Sequence, residues 1–445
     1  MKKINIPGSK KYQFPHVVKI PYAGLLLVIA DETANWIICE NKNQELFFDL
    51  LSEYQLDEAL NLYHGDIKDA QYILIQLDAT DFECKQTHSL EPPMALHLYV
   101  TNQCNLRCPR CYMSAGNKKE QSYISTNDYK TILKEFAKRG GFHVTFSGGE
   151  PTLRTDIIEL IQYAKKECEL QTELYTNGIN WALQDPQFYK SIKDILDNIQ
   201  ISIDGYSEKK NAELRGVGIF EQTLSSVNAF LEAGIKTTIA VTPMFEDSKE
   251  VESYIQFGKS CLERFAAFDN FRIIFSGRLL DGRDKKYDIA FKQRYNDLVN
   301  KVNIGVFGED SDTDMNKFRH KHYIKNNCAY GNITISASGD VYFCSRTPEM
   351  KPYGNIYNME WKDALNVSKK VQRLSRVENL LPCRYCELRN ICGGDCRIEF
   401  FDEFKDCASI VNNHNNPERH CDQSIKDSFF SLMVKSQKRL FKLIE

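Results

Sequence analysis

The chain has 445 residues, enough for about three domains of roughly 150 residues each. Its 57 Lys and Arg against 60 Asp and Glu leave a net charge of −3, which excludes an overall basic field of the kind that holds nucleic acid or an anionic membrane. The longest apolar run, Ala23 to Ala30, falls short of the roughly 20 residues that a bilayer span needs, and no apolar signal core follows the basic start. A cytoplasmic protein is expected.

Taken in chain order, the first 90 residues predict a small α+β unit. Short strands are expected at His16–Ile20, Leu25–Ile29 and Ala34–Cys39, then helices from Asn43 to Leu51, Leu56 to Tyr63 and Ile67 to Leu77. Asp81 to Pro93 is polar and carries Pro92-Pro93, which sets a boundary near residue 90. Residues 91–305 alternate strand and helix. Strands are expected near 95–101, 142–147, 171–176, 198–203, 235–241 and 269–275, with helices near 126–139, 155–167, 185–195, 219–233, 247–263 and 286–303. Six such units imply a parallel sheet with right-handed crossovers, and about 210 residues suit a partial (β/α)6 barrel better than an eight-unit one. Residues 306–327 are charged and read as a linker. Residues 328–445 hold short strands, at 333–336 and 341–343, among eight cysteines. They end in a helix from Ser424 that is expected to dock on its own domain.

The cysteines carry the chemistry. Fifteen in a chain without an export signal argue against a disulfide framework and for metal. Cys104, Cys108 and Cys111 follow the first barrel strand at spacings that let three thiolates close on one centre. Structural zinc and ordinary iron–sulfur sites take four protein ligands, so three point to an iron–sulfur cluster with one open iron. The same rim of the barrel is expected to receive Ser147-Gly148-Gly149-Glu150-Pro151, Thr176-Asn177-Gly178, Ser202-Ile203-Asp204-Gly205 and Val241-Thr242-Pro243, each at a strand end. Cys39, Cys84, Cys168 and Cys261 match no ligand spacing and read as partly buried thiols, and His143 reads as a packed histidine.

With these residues in place, the central segment resembles the radical S-adenosylmethionine (radical SAM) superfamily, through its Cys-x3-Cys-x2-Cys loop and Gly-Gly-Glu motif. The resemblance implies that Cys104, Cys108 and Cys111 hold a [4Fe–4S] cluster whose open iron is chelated by S-adenosylmethionine (SAM). It implies that Glu150 partners the cofactor's amino group, with Gly148 and Gly149 letting backbone approach the cofactor closely. It also implies that Asn177, Ser202 and Asp204 face cofactor or substrate, and that Val241-Thr242-Pro243 touches the adenine. Arg215, in Leu214-Arg215-Gly216, matches a pattern of peptide-modifying members. One residue departs from the family: Arg110 stands before the third cysteine, where an aromatic is usual.

The later cysteines, Cys328-x15-Cys344, Cys383-x2-Cys386-x5-Cys392-x3-Cys396 and Cys421, resemble the seven-cysteine SPASM domain. That resemblance implies two auxiliary [4Fe–4S] clusters, one on Cys328, Cys344 and Cys396 and one on Cys383, Cys386, Cys392 and Cys421. Three clusters in all are expected. Cys407 leads His414 and His420 as the missing ligand of the first auxiliary cluster, and two zinc sites remain the alternative. The N-terminal unit resembles the winged-helix-like RiPP recognition element, which holds leader peptides of ribosomally made natural products.

The expected function is a radical SAM peptide maturase that cleaves SAM reductively, takes hydrogen from a precursor-peptide carbon and installs a thioether or carbon–carbon crosslink. A reduced flavodoxin or ferredoxin-type donor is the expected electron source. The alternatives are a SPASM enzyme that oxidises a Cys or Ser of a protein partner, as anaerobic sulfatase-maturing enzymes do, and a non-enzymatic metal-bound peptide-binding protein.

Overall fold

In the computed structural model, residues 6–83, 94–116, 124–182, 184–283, 286–308, 328–412, 416–419, 421 and 423–444 are described. Most of the 81–93 boundary and of the 306–327 linker, together with Cys84, His414 and His420, lies outside them.

Strands β1 (Val18–Tyr22), β2 (Leu25–Ala30) and β3 (Asn35–Cys39) form an antiparallel sheet in the order β1-β2-β3. Residues Ala23 and Gly24 make its first hairpin turn with φ of 49° and 78°, the positive values that match the twist of two-residue hairpins. Helices α1 (Lys42–Glu53), α2 (Leu56–Leu62) and α3 (Ile67–Ala79) cover one face. Because side chains alternate along a strand, Val28, Ala30, Ile37 and Cys39 meet those helices through Phe47, Phe48 and Ile73. The other face, Leu27, Ile29, Trp36 and Ile38, is equally apolar and also needs a cover.

That cover comes from the far end of the sequence. The C-terminal helix Gln423–Ile444 lays Phe430 and Met433 on it, beside Leu388, Ile391 and Cys392. Trp36 donates its indole N–H to the Met433 carbonyl oxygen at 3.1 Å, and Tyr22 donates to that of Asp427 at 3.2 Å. The terminal helix therefore docks on the N-terminal sheet as well as on its own cysteine-rich region. The N-terminal unit is not a free appendage.

The barrel segment follows its expected pattern closely. Strands β4 (Met94–Tyr99), β5 (Gly141–Ser147), β6 (Gln171–Thr176), β7 (Asn198–Ser202), β8 (Lys236–Val241) and β9 (Phe271–Phe275) lie parallel and in chain order. Between them run α4 (Thr126–Lys138), α5 (Ile157–Lys166), α6 (Pro186–Lys193), α8 (Phe220–Glu232) and α9 (Glu250–Arg264), with α10 (Ile289–Phe307) after β9. A short helix, α7 (Glu208–Leu214), was not expected from the sequence. Period-two alternation divides the strands: Leu174, Ile199, Ile201 and Ile239 belong to the apolar core, while Tyr175, Gln200, Ser202 and Ala240 line an interior cavity.

The cysteine-rich region does not stand apart from this sheet. Strand β10 (Ile333–Ile335) pairs in parallel with β4, and β11 (Asp340–Tyr342) and β12 (Gly354–Asn355) continue antiparallel, giving nine strands in the order β12-β11-β10-β4-β5-β6-β7-β8-β9. Ile333, Ile335 and Val341 join the barrel core. The short strands expected around residues 333 and 341 are thus extensions of the barrel.

Candidate active site

The site lies at the carboxyl ends of the parallel strands, around a cavity of about 490 Å³. That volume is within the range of small-molecule sites. Cys104, Cys108 and Cys111 all open onto it, together with Ser147, Gly148, Gly149, Asn177, Ser202, Asp204, Arg215 and Thr242. Ten of the eleven residues that the resemblance assigns to this centre therefore share one wall, with Ser147 beside them.

The two glycines explain how the cysteine loop is seated. Gly149 donates its N–H to the Thr101 carbonyl oxygen at 2.7 Å, and Glu150 donates to that of Gln103 at 2.7 Å. A methyl at Gly149 would lie 2.1 Å from Gln103 O, and one at Gly148, whose φ is +135°, 2.3 Å from Thr101 O. Only glycine lets the second strand end zip onto the backbone that leads into Cys104.

Glu150 is the residue that stands elsewhere. It is fully buried and is not among the residues that line the cavity. Its Oε1 accepts from Thr152 N at 3.1 Å, Thr152 Oγ1 at 2.6 Å and Thr176 Oγ1 at 2.7 Å, and its Oε2 accepts from Asn177 N at 2.7 Å. Burial pushes its carboxyl above the ordinary range, against the pull of these four donors. These donors fix the carboxylate in place, and Oε2, which accepts from Asn177 N, is the less engaged of its two oxygens.

Through Glu150 the third strand end is tied to the second, and Asn177 carries the tie onward. Its Nδ2 donates to Asn105 Oδ1, within the cysteine loop, at 2.7 Å. Asp204 plays a similar part at the fourth strand end: Oδ2 accepts from Arg215 Nη1 at 2.8 Å and Oδ1 from Thr242 N at 3.0 Å. The Arg215 side chain is mostly buried, and its buried Nε has no hydrogen-bond partner among the described residues. Cys108 Sγ approaches the Arg215 carbonyl oxygen at 3.8 Å. An orphaned guanidinium N–H beside three convergent thiols fits a negatively charged, sulfur-bound group. Burial pushes the Cys104 thiol up to about 11, so binding a metal centre there must displace a proton.

Sequence reasoning missed several wall residues: Tyr112, Met113, Tyr175, Gln200, Arg278 and Leu280. Tyr112 follows Cys111 directly, and its hydroxyl lies 3.1 Å from that of Tyr99, which also donates to the Ser345 carbonyl oxygen at 2.5 Å. Tyr112 thus supplies an aromatic two residues after the position where Arg110 stands. Arg110 itself has a buried Nη1 with no hydrogen-bond partner among the described residues, and it lines both this cavity and a smaller one with Phe245, Tyr287 and Phe291. His143 sits 3.5 Å from Glu173, away from the cavity wall.

The later cysteines gather in two groups. Cys383, Cys386, Cys392 and Cys421 line a second cavity of about 330 Å³ with Arg419. Cys328, Cys344 and Cys396 pack in one cluster of side chains that also holds Cys407. A Cys328–Cys396 hydrogen bond, with Arg278 and Arg346 nearby, holds the Cys396 thiol below the ordinary range and Cys328 above it. Cys407 is fully buried, and its Sγ lies 3.9 Å from the Tyr330 hydroxyl. Cys39 and Cys261 are buried thiols, and Cys168 is half-buried. Among the described residues no group of three or more His, Cys, Asp or Glu is arranged to hold a single metal ion, and no helix is long and apolar enough to cross a membrane.

Comparison with known proteins bears on this geometry. Residues 98–258 match the family model of the Radical SAM superfamily. The mycofactocin maturase MftC of Mycolicibacterium smegmatis is 28% identical over 323 residues, which cover 70% of this chain and 80% of that protein. The Fe-coproporphyrin III synthase of Methanosarcina barkeri is 29% identical over 181 residues, 40% of this chain and 44% of the relative. Among solved structures, Streptococcus suis SuiB bound to precursor peptide SuiA aligns with a TM-score of 0.50 at 17% identity, covering 91% of this chain and 99% of that one. That last likeness is one of fold.

Proposed function

We propose a function from one premise: this chain carries a radical SAM domain, in residues 98–258, and with it the [4Fe–4S] and SAM chemistry of that superfamily. On our reading it is a peptide maturase that takes hydrogen from a carbon of a ribosomally made precursor and installs a thioether or carbon–carbon crosslink. The observation that carries the reading is the opening of Cys104, Cys108 and Cys111 onto the same 490 Å³ cavity as Asn177, Ser202, Asp204 and Thr242.

When bound, the cluster and SAM supply a 5′-deoxyadenosyl radical able to take hydrogen from an unactivated carbon. The chain's own residues have the tasks of ligation, orientation and exclusion. Cys104, Cys108 and Cys111 ligate the cluster. Gly148 and Gly149 present backbone to the methionine end of SAM, while Ser202, Asp204 and Thr242 hold its remainder. Arg215, anchored by Asp204, offsets negative charge beside the cysteines. Tyr112, Tyr175 and Met113 close the wall and keep water from the reacting carbon.

The auxiliary groups extend this reading: Cys383, Cys386, Cys392 and Cys421 hold one further cluster, and Cys328, Cys344 and Cys396, with Cys407, hold another. Their part is to remove the electron left after bond formation, and a flavodoxin or ferredoxin-type protein supplies the first electron. Peptide substrates are favoured over porphyrin because a small sheet with an open strand edge, among the described residues, precedes the barrel. The precursor's leader adds to the N-terminal sheet. There the edge of β3 is capped by Gln76, which bonds both Ile38 N and O at 2.8 Å, while β1 has a strand neighbour only in β2 among the described residues.

The test is anaerobic reconstitution of the full chain with iron and sulfide, SAM and dithionite. Release of 5′-deoxyadenosine, lost when Cys104, Cys108 and Cys111 are replaced by Ala, is expected. With a precursor peptide encoded beside the gene, a crosslinked product lighter by about 2 Da is expected. Turnover of a porphyrin instead, or no 5′-deoxyadenosine, would overturn the proposal.

A further inference from the structure

Each group of later cysteines has one buried arginine hydrogen-bonded to a member thiol. Arg346 Nη1 donates to Cys396 Sγ at 3.2 Å, and Arg419 Nη1 donates to Cys392 Sγ at 3.1 Å. The two arginines differ in what neutralises them. Arg346 pairs with Glu349 at 2.7 Å and has Glu399 at 3.5 Å. For Arg419 the carboxylate within ion-pair reach among the described residues is Asp395, at 3.8 Å.

Arg419 is also buried more deeply, with its side chain 2% exposed against 10% for Arg346. Its Nε and Nη2 make no hydrogen bond among the described residues. A guanidinium in that state is costly, because its desolvation is offset by one distant carboxylate, the Phe400 ring centred 4.6 Å from its carbon and the neighbouring thiols. It lines the cavity of Cys383, Cys386, Cys392 and Cys421. The donors left over face a sulfur-rich wall. Arg397, fully buried and donating to the main-chain oxygens of Ser375 and Gly393, is a further positive charge shared between the two groups, near Cys328 as well as Cys383 and Cys392.

Resting on the auxiliary-cluster reading above, we propose that Arg419 is a positioning residue that raises the reduction potential of the cluster held by Cys383, Cys386, Cys392 and Cys421. The redox balance is simple. A [4Fe–4S] core with four thiolates carries a total charge of 2− when oxidised, and one electron from a reductant takes it to 3− with no bond made or broken. A cation fixed beside a ligand sulfur favours the more negative form, and hydrogen bonds to sulfur act in the same direction. Arg346, neutralised by Glu349 and Glu399, has a smaller effect on its own group.

The test uses the full chain with Cys104, Cys108 and Cys111 replaced by Ala, so that the auxiliary clusters alone are read. Dithionite titration followed by electron paramagnetic resonance gives each midpoint. In Arg419→Met the reduced-to-oxidised ratio, at the parent's midpoint, is expected to fall about tenfold, a shift of about 59 mV downward. Arg419→Lys keeps the charge but not the fork, and its shift is expected to be less than half as large. Arg346→Met is expected to move its cluster less than Arg419→Met moves the other.

If Arg419→Met sheds its cluster, Arg419→Lys decides, and a downward shift in that variant supports the proposal. Retained iron with unmoved midpoints overturns it. Iron analysis of the parent separates the two levels: a single auxiliary cluster, or stoichiometric zinc, overturns the cluster reading itself.

Discussion

Asn390 donates from Nδ2 to the main-chain oxygen of Asp31 at 2.8 Å, a hydrogen bond that spans 359 residues of sequence. The same nitrogen reaches Glu32 O at 3.1 Å, and the neighbouring Arg389 pairs with Asp31 at 3.1 Å. Cys392 follows two positions later and packs with Leu27, Ile29 and Trp36 of the N-terminal sheet. The turn between β2 and β3 is therefore held by the segment that carries a proposed cluster ligand.

Removing the first 83 residues should accordingly damage more than peptide binding. It would uncover Phe430, Met433, Leu388 and Ile391, and lower iron content together with solubility. A cleaner variant is Asn390→Ala, which leaves the buried Asp31 carbonyl without this donor at a cost of about 1–3 kcal/mol. Trp36→Ala is expected to cost about 3–5 kcal/mol through its cavity. Urea unfolding of the apoprotein measures both. Full retention of iron and stability after truncation would show the interface to be idle.

This interface also marks where sequence reading stops. The six barrel strands are readable because each is a short apolar run with polar residues and a turn at its end, and their helices repeat every three to four residues. Nothing local in Leu25 to Ala30 or in Gln423 to Ile444 says that the two will meet. An apolar second face on β2 and β3 demands a partner, but the partner lies some 400 positions away. Cys104, Cys108 and Cys111 were readable from spacing, because the three sit on one loop. The division of the later cysteines came from the family resemblance, since Cys396 lies four positions after Cys392 yet packs with Cys328 and Cys344. Tyr175 and Gln200 were not readable as cavity wall, since their orientation depends on which face of the sheet turns inward. Glu150 shows the other limit. Its motif is visible in the sequence, but the four donors on its carboxylate come from Thr152, Thr176 and Asn177 and meet only when two strand ends converge.

Gly149→Ala tests the seat of the cysteine loop. The new methyl would stand 2.1 Å from Gln103 O, a contact that only movement of the backbone relieves. The expected result is loss of the cluster at Cys104, Cys108 and Cys111, about one third of the iron if three clusters are present, with the auxiliary signals unchanged. Iron analysis and electron paramagnetic resonance read it. Unaltered iron and SAM cleavage would mean that the loop tolerates the displacement.

Asp156 gives a pH signature. Burial pushes its carboxyl up, but hydrogen bonds from Arg154 and Thr126 outweigh that and hold it below the ordinary carboxylate range. Arg154 donates to it at 2.9 and 2.7 Å and also to Val100 O, at the end of β4, at 3.1 Å. A depressed carboxyl contributes stability that is present above its unfolded value, near 3.9, and is lost as pH falls through the lower folded value. Asp156→Asn should thus cost about 1.5–3 kcal/mol at pH 7, with the gap to wild type closing as pH is lowered below about 4. Denaturant unfolding at pH 7 and pH 3.5 checks the sign. A gap that is constant with pH would assign the effect to shape.

Glu150→Gln separates two roles for one carboxylate. Both oxygens accept from backbone, Oε1 from Thr152 N and Oε2 from Asn177 N, and backbone donors cannot turn away. Whichever way the Gln amide is placed, its NH₂ faces one of these N–H groups, at a cost of about 1–3 kcal/mol. Because Asn177 reaches on to Asn105 in the cysteine loop, the disturbance travels to the cavity wall. The expected outcome is a lower Tm of the apoprotein, weaker SAM binding and slower 5′-deoxyadenosine release together. A carboxylate that acted only as partner to the cofactor's amino group would leave the apoprotein's Tm unchanged and move SAM binding alone. Measuring Tm without SAM and Kd with it, on the same two proteins, decides between a clamp beneath the cavity and a contact within it.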